Sequence, residues 1–257
     1  MEYLVICLAA LIASGLTLFS GFGLGTLLMP VFALFFPVDV AVALTAIVHF
    51  LNNLFKLALL GRHADKTVVV KFGVPAVVTA FLGAGLLLLL SGLDPLFAYR
   101  LFGHEMQVLP VKAVIAVLMI LFALIELTPK LEKISFDGRY LPLGGALSGF
   151  FGGLSGNQGA LRSAFLVRSG LSKESFIATG VVIACLVDMT RISVYASHFS
   201  MAGNLENAPL LIAATGSAFL GAFIGNRLMK KVTMRSVQAL VAVMLFGIAV
   251  GLGLGII

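Results

Sequence analysis

The chain has 257 residues, of which 60% are apolar and only 11% charged. The charged share is less than half the ~25% usual in soluble domains, and the mean hydropathy is +1.13. These values exclude a soluble globular enzyme, a disordered chain and a nucleic-acid-binding domain. The net charge of +6 therefore points to basic loops between membrane segments rather than to an acidic macromolecular partner.

An apolar helix needs about 20 residues to cross ~30 Å of hydrocarbon. Apolar runs cover 3–36, 39–61, 69–91, 110–128, 140–168, 175–198, 208–229 and 236–257. Six have ordinary spanning length; the first and fifth are too long. Each of these two is cut by a polar, glycine-rich break, Ser20-Gly21-Phe22-Gly23-Leu24-Gly25 and Leu154-Ser155-Gly156-Asn157-Gln158-Gly159. A helix interior disfavours Gly by ~1 kcal/mol relative to Ala, so both breaks predict unwound backbone. At membrane depth such backbone must be buried in protein or line a polar cavity. Glu2 and the absence of a basic leading segment argue against a cleaved signal peptide. Residues 93–109, with Asp94, Pro95, Arg100, His104, Glu105 and Pro110 nearby, are expected to form an external loop, with an interfacial helix as one option. Residues 129–139 form the main polar linker. It separates an N-terminal membrane repeat (1–128) from a C-terminal one (140–257).

The halves match at an offset of 135 residues. Ser20-Gly21 falls on Ser155-Gly156, Asp39 on Glu174, Asn53 on Asp188, Lys56 on Arg191 and His63 on His198. After a three-residue shift Ala80-Phe81-Leu82-Gly83-Ala84 recurs as Ala218-Phe219-Leu220-Gly221-Ala222. A duplicated unit of one broken segment and three plain ones is the expectation, and such repeats place a transport site at their interface. If each broken segment crosses once, the loop Lys and Arg residues split six against eight. If each is a hairpin, they split twelve against two. Loop asymmetry of basic residues sets orientation, so the sequence favours hairpins, inverted repeats and both termini outside.

Three basic residues lie inside apolar runs: Lys56, Arg162 and Arg191. A charge at bilayer depth costs ~2.5–3.5 kcal/mol on insertion scales and is usually functional. Asn53 and Lys56 share a helix face, as do Asp188 and Arg191. An anion site would draw on Lys56, Arg162 and Arg191 for charge and on Asn53, Asn157 and Gln158 for hydrogen bonds. Ser20, Gly21, Gly23, Ser155 and Gly156 at the breaks would add backbone and hydroxyl donors. His49 and Asp188 are candidates for proton coupling, with Asp188 also a structural partner of Arg191. The competing reading of Lys56 is a side chain that snorkels towards Arg62. His63 and His198 lie at run ends and are expected to be solvated. Gly83, Gly85, Gly221 and Gly225 are expected at close helix contacts. Cys7 and Cys185 are expected to be buried thiols, and Tyr3, Tyr99, Tyr140 and Tyr195 are the available interfacial anchors. No H-E-x-x-H, G-x-S-x-G or C-x-x-C motif occurs, so no enzyme, metal or cofactor is expected.

The stretch Ser20-Gly21-Phe22-Gly23-Leu24-Gly25-Thr26-Leu27-Leu28-Met29-Pro30 resembles the first glycine-rich signature of the sulfite exporter TauE/SafE family. Gly152 to Leu166 resembles the second signature in one branch of that family. Here Asn157, Gln158 and Arg162 replace the commoner form, which is richer in glycine and ends in proline. The resemblance covers essentially the whole chain and implies transport of sulfite, thiosulfate or organosulfonates. The expected protein is thus an all-α, polytopic secondary transporter of the cell membrane working by alternating access. Its expected partners are a small anion and the lipid bilayer, with a homodimer left open. A passive anion channel and a carrier of other small organic anions such as carboxylates are the alternatives.

Overall fold

The computed structural model describes residues 2–20, 24–101, 103–127, 135–197, 207–228 and 234–256. The side chains at 17–20, 59–60, 126–127, 226–228 and 234–241 are excepted. Ten α-helices carry the fold: α1 (Glu2–Ser20), α2 (Leu24–Ala33), α3 (Val38–Leu60), α4 (Lys66–Ser91), α5 (Pro110–Leu127), α6 (Leu141–Ser155), α7 (Gly159–Leu166), α8 (Lys173–Ala196), α9 (Ala208–Leu228) and α10 (Met234–Gly253). Four of them, over Val38–Ala58, Lys66–Ser91, Lys173–Ala196 and Ala208–Gly225, are long and apolar enough to cross a membrane. The outward face of α4 is apolar and uncovered at Val70, Val74, Val78, Phe81, Leu82 and Leu89, which suits lipid rather than water.

Local chemistry sets the ends of the long helices. Asp65 caps α4 by accepting from the Val68 N–H at 2.9 Å, and its own N–H donates to Thr179 Oγ1 of α8 at 2.9 Å. Ser172 caps α8 by accepting from the Ser175 N–H at 3.2 Å. These satisfy first-turn amides that have no intrahelical partner. Gly156 ends α6 in the left-handed conformation at φ 81°, a backbone that glycine adopts without a Cβ clash.

The helix boundaries repeat with the sequence. Helices α2 and α3 begin at Leu24 and Val38, and α7 and α8 begin at Gly159 and Lys173, 135 residues later. Packing follows the same correspondence. Helix α1 lies along α9, and its counterpart α6 lies along α4; α3 packs on α8, and α5 on α10. The two halves therefore interlace rather than sitting side by side.

Small residues permit the closest of these approaches. Gly145, Gly149 and Gly153 recur every four residues on α6 and face the carbonyls of Phe72, Ala76 and Ala80 on α4. A Cβ on Gly149 would stand 2.0 Å from the Ala76 carbonyl oxygen. Thr79 Oγ1 donates across the seam to the Ala146 carbonyl at 2.7 Å. In the related pair, a Cβ on Gly221 would stand 2.0 Å from the Leu11 carbonyl oxygen, and one on Gly225 would stand 2.6 Å from Gly15 Cα. Backbones this near gain dispersion and weak Cα–H···O contacts where lipid offers no hydrophobic drive. Gly83 follows the expectation, meeting the Phe150 carbonyl, but Gly85 has nothing within 4 Å of an added Cβ.

Two other expectations are corrected. Among the described residues, 93–109 hold no helix; Phe97–Leu101 (β1) and His104–Val108 (β2) form an antiparallel hairpin. Gly103 sits at the turn with φ 82°. The hairpin rests on the end of α10, where Tyr99 donates its hydroxyl to the Leu254 carbonyl at 2.5 Å. Tyr195 is no interfacial anchor: it is buried, and its hydroxyl donates to the Gly153 carbonyl. Cys185 is buried as a free thiol, whereas Cys7 is partly exposed.

Candidate functional site

The second broken segment is a helical hairpin. Ser148 Oγ of α6 donates to the Gln158 carbonyl at 3.0 Å. Further from the tip, Phe165 of α7 fills the space beside Gly144 at the start of α6. Helix α7 thus runs back along α6. Phe136 fastens the open end: its N–H donates to the Ala164 carbonyl at 3.2 Å, and its ring stacks on Phe165 with centroids 4.2 Å apart. The tip, Ser155 to Gly159, is wholly buried.

That tip meets the other break. A Cβ on Gly25, the second residue of α2, would lie 3.3 Å from the Gly156 carbonyl oxygen and 3.7 Å from Thr45 Cγ2 of α3. On the opposite side of the tip, a Cβ on Gly156 would lie 2.9 Å from Arg191 Nη1 of α8. Both glycines therefore allow backbone to approach where a side chain would intrude.

Asp188 organises the polar centre. Its Oδ1 accepts from Arg191 Nε at 3.0 Å, Arg191 Nη2 at 2.8 Å and Gln158 Nε2 at 3.3 Å. Its Oδ2 contacts His49 Nδ1 at 2.6 Å and accepts from Asn53 Nδ2 at 3.5 Å. A neutral imidazole with its proton on Nδ1 fits this pattern, because Nε2 then accepts from Asn53 Nδ2 at 3.2 Å. Every partner of the carboxylate can donate to it. Arg162 reaches the same network through Gln158, donating from Nη1 to Gln158 Oε1 at 3.3 Å. Asn53 and Asp188, matched by the sequence offset, touch each other.

Of the residues expected from the sequence, His49, Asn53, Gln158, Arg162, Asp188 and Arg191 are joined in one hydrogen-bonded network. Ser155 and Gly156 shape the hairpin tip: Ser155 Oγ donates to the Phe151 carbonyl at 3.0 Å and accepts from the Asn157 N–H at 3.4 Å. Lys56 does not reach solvent beside Arg62. It is 7% exposed and makes no hydrogen bond or ion pair among the described residues. It lies in Coulombic range of Arg162. The Ser20 side chain, Gly21, Gly23 and His198 lie outside the described residues; His63 is exposed, in a 3-10 turn after α3.

The structure adds Thr45 and Ser14, which the sequence reading passed over. Thr45 joins His49, Asn52, Asn53 and Lys56 in one stripe along α3 at helical spacing. Ser14 of α1 donates to Asn52 Oδ1 at 3.2 Å. The stripe was visible as spaced polar residues in an apolar run, but Ser14 had no comparable signal.

The unpaired atoms indicate the chemistry that is missing. Among the described residues, the buried side-chain atoms without a partner are Arg191 Nη1, Asn52 Nδ2, Asn157 Nδ2, Thr45 Oγ1 and Thr215 Oγ1. Each can donate a hydrogen bond, and none is an acceptor alone. Lys56, Arg162 and Arg191 are buried cations, and Asp188 is the only buried carboxylate among these residues. Donors and positive charge thus outnumber acceptors and negative charge among these buried side chains.

The sequence model of the family described as Sulfite exporter TauE/SafE matches residues 6–252. The chain belongs to the TauE/SafE family. TauE/SafE membership makes it a multi-pass membrane transporter of the sulfite and sulfur-anion class. No curated protein and no solved structure matches the chain.

Proposed function

We propose that this TauE/SafE protein is a secondary transporter that binds a small sulfur oxyanion or sulfonate where its two glycine breaks meet. The single observation that supports this most is the pair of unpaired, buried N–H donors at the hairpin tip, Asn157 Nδ2 and Arg191 Nη1 beside Gly156, among buried side chains with more cations than carboxylates. An oxyanion leaving water needs several fixed donors in place of its hydration. Arg191 supplies a fork edge, Arg162 and Lys56 add charge, and Asn53, Gln158, Ser155 and Gly156 complete the surroundings. Ser20, Gly21 and Gly23 are assigned the matching role in the first break. The start of α7 at Gly159 directs the positive end of a helix dipole towards the same place.

Movement of the anion is assigned to alternating access between two inverted repeats. Support comes from the exchanged packing of α1 with α9 and α4 with α6, and from the contact between offset-matched Asn53 and Asp188. Both are what a pseudo-two-fold axis through α3 and α8 would produce. On this reading the centre is fixed and the surrounding helices rock about it. His49 and Asp188 are the groups through which a proton could be coupled to the anion.

Arg162→Ala is the direct test, because among the described residues Arg162 is hydrogen-bonded to the network through Gln158 and its loss should spare the Asp188–Arg191 pair. Sulfite affinity, measured by calorimetry on the purified protein, should fall at least tenfold, about 1.4 kcal/mol. Uptake into proteoliposomes should fall with it, while the melting transition stays cooperative. Unchanged affinity and uptake would remove the site from this position.

A further inference from the structure

We infer that the site selects divalent anions over monovalent ones. This rests on the anion-site reading above and adds the charge that the anion must carry.

Among the described residues the buried charged side chains are Lys56, Arg162, Arg191 and Asp188. His49 is counted as neutral, the tautomer in which Nδ1 donates to Asp188 and Nε2 accepts from Asn53. Three cations and one carboxylate leave two uncompensated positive charges. Asp188 cannot be shared more widely, since its oxygens already serve Arg191, Gln158, His49 and Asn53. Arg162 donates to the neutral amide of Gln158 and has no acidic partner among the described residues, and neither has Lys56. The surplus therefore rests on Lys56 and Arg162, one on α3 and one on the hairpin, with the unpaired Arg191 Nη1 nearby on α8.

Burying charge without a compensating partner is costly. A dianion brings the region to neutrality; a monoanion leaves one positive charge buried. The low dielectric that makes the empty state costly also magnifies this difference. Thiosulfate, sulfate, fully ionised sulfite and a sulfonate bearing a carboxylate meet the requirement. Methanesulfonate, with one charge on a similar tetrahedral head, does not. Taurine, whose ammonium cancels its sulfonate, is disfavoured further.

The test is competitive calorimetry on the purified full-length protein at fixed pH and ionic strength, with thiosulfate, sulfate and methanesulfonate as probes. The dianions should bind at least tenfold more tightly than methanesulfonate. Lys56→Gln and Arg162→Gln should each narrow that ratio several-fold by weakening the dianions more than the monoanion. Methanesulfonate binding as tightly as the dianions, or a ratio unchanged in both variants, would overturn charge selection while leaving an anion site in place. Failure of all three probes to bind would remove the site itself, and this inference with it.

Discussion

Arg191→Ala should abolish anion uptake and also lower stability, by about 3–5 kcal/mol, the usual cost of leaving one partner of a buried ion pair alone. Arg191 is completely buried and gives Nε and Nη2 to Asp188 Oδ1 at 3.0 and 2.8 Å. Its Nη1 has no partner among the described residues. One planar fork thus holds the carboxylate and presents a spare donor, which a lysine ammonium cannot reproduce in the same geometry. Arg191→Lys should therefore fold better than Arg191→Ala and still fail to transport. The double variant Asp188→Asn, Arg191→Met removes both charges, so it should recover much of the lost stability without recovering uptake. Thermal melting in detergent and flux in proteoliposomes measure the two effects separately. Uptake retained by folded Arg191→Ala would contradict the assigned role.

Gly149→Val should prevent stable assembly of the protein. The Cβ alone would stand 2.0 Å from the Ala76 carbonyl oxygen and 2.5 Å from Ala76 Cα, so α4 and α6 must separate. That separation would also undo the neighbouring approaches at Gly145 and Gly153. Overpacking a single core position costs ~1–3 kcal/mol, and a backbone seam that opens along two turns costs more. Gly85→Ala is the matched control: nothing lies within 4 Å of its added Cβ. Filling an open helical glycine should be neutral or stabilising, by up to ~1 kcal/mol. Monodispersity and melting temperature in detergent distinguish the two variants. Equal stability of Gly149→Val and wild type would mean that the α4–α6 seam does not hold the fold together.

Much of this architecture was legible in the residues. The length of the apolar runs placed the plain segments to within a few residues, because a run of twenty apolar residues has few other stable forms in lipid. Lys56, Arg162 and Arg191 stood out because a charge in an apolar run needs a reason. Asn53 and Asp188 stood out because a polar match is informative in so apolar a chain. The glycine-rich break at Ser155 to Gly159 proved to be the tip of a hairpin, as the basic-residue count favoured for that segment.

What the sequence concealed depends on partners far away along the chain. Asp188 was paired in advance with Arg191, three residues away, but its contacts to His49 and Gln158 are tertiary. Ser14 gains its role only from Asn52, and Tyr195 only from Gly153. The glycine stripe at Gly145, Gly149 and Gly153 was hidden in a segment already rich in glycine, while Gly85 faces open space. The β-hairpin at 97–108 escaped because its strands are short and its polar content is also that of a loop.

The central claim is the location of the anion, and selenite, a heavier analogue of sulfite, tests it most directly. In crystals of the protein grown with selenite, anomalous scattering should place selenium within hydrogen-bonding reach of Arg191 Nη1 and Asn157 Nδ2, beside Gly25 and Gly156. Ordered selenium elsewhere in the protein, with that position empty, would contradict the account.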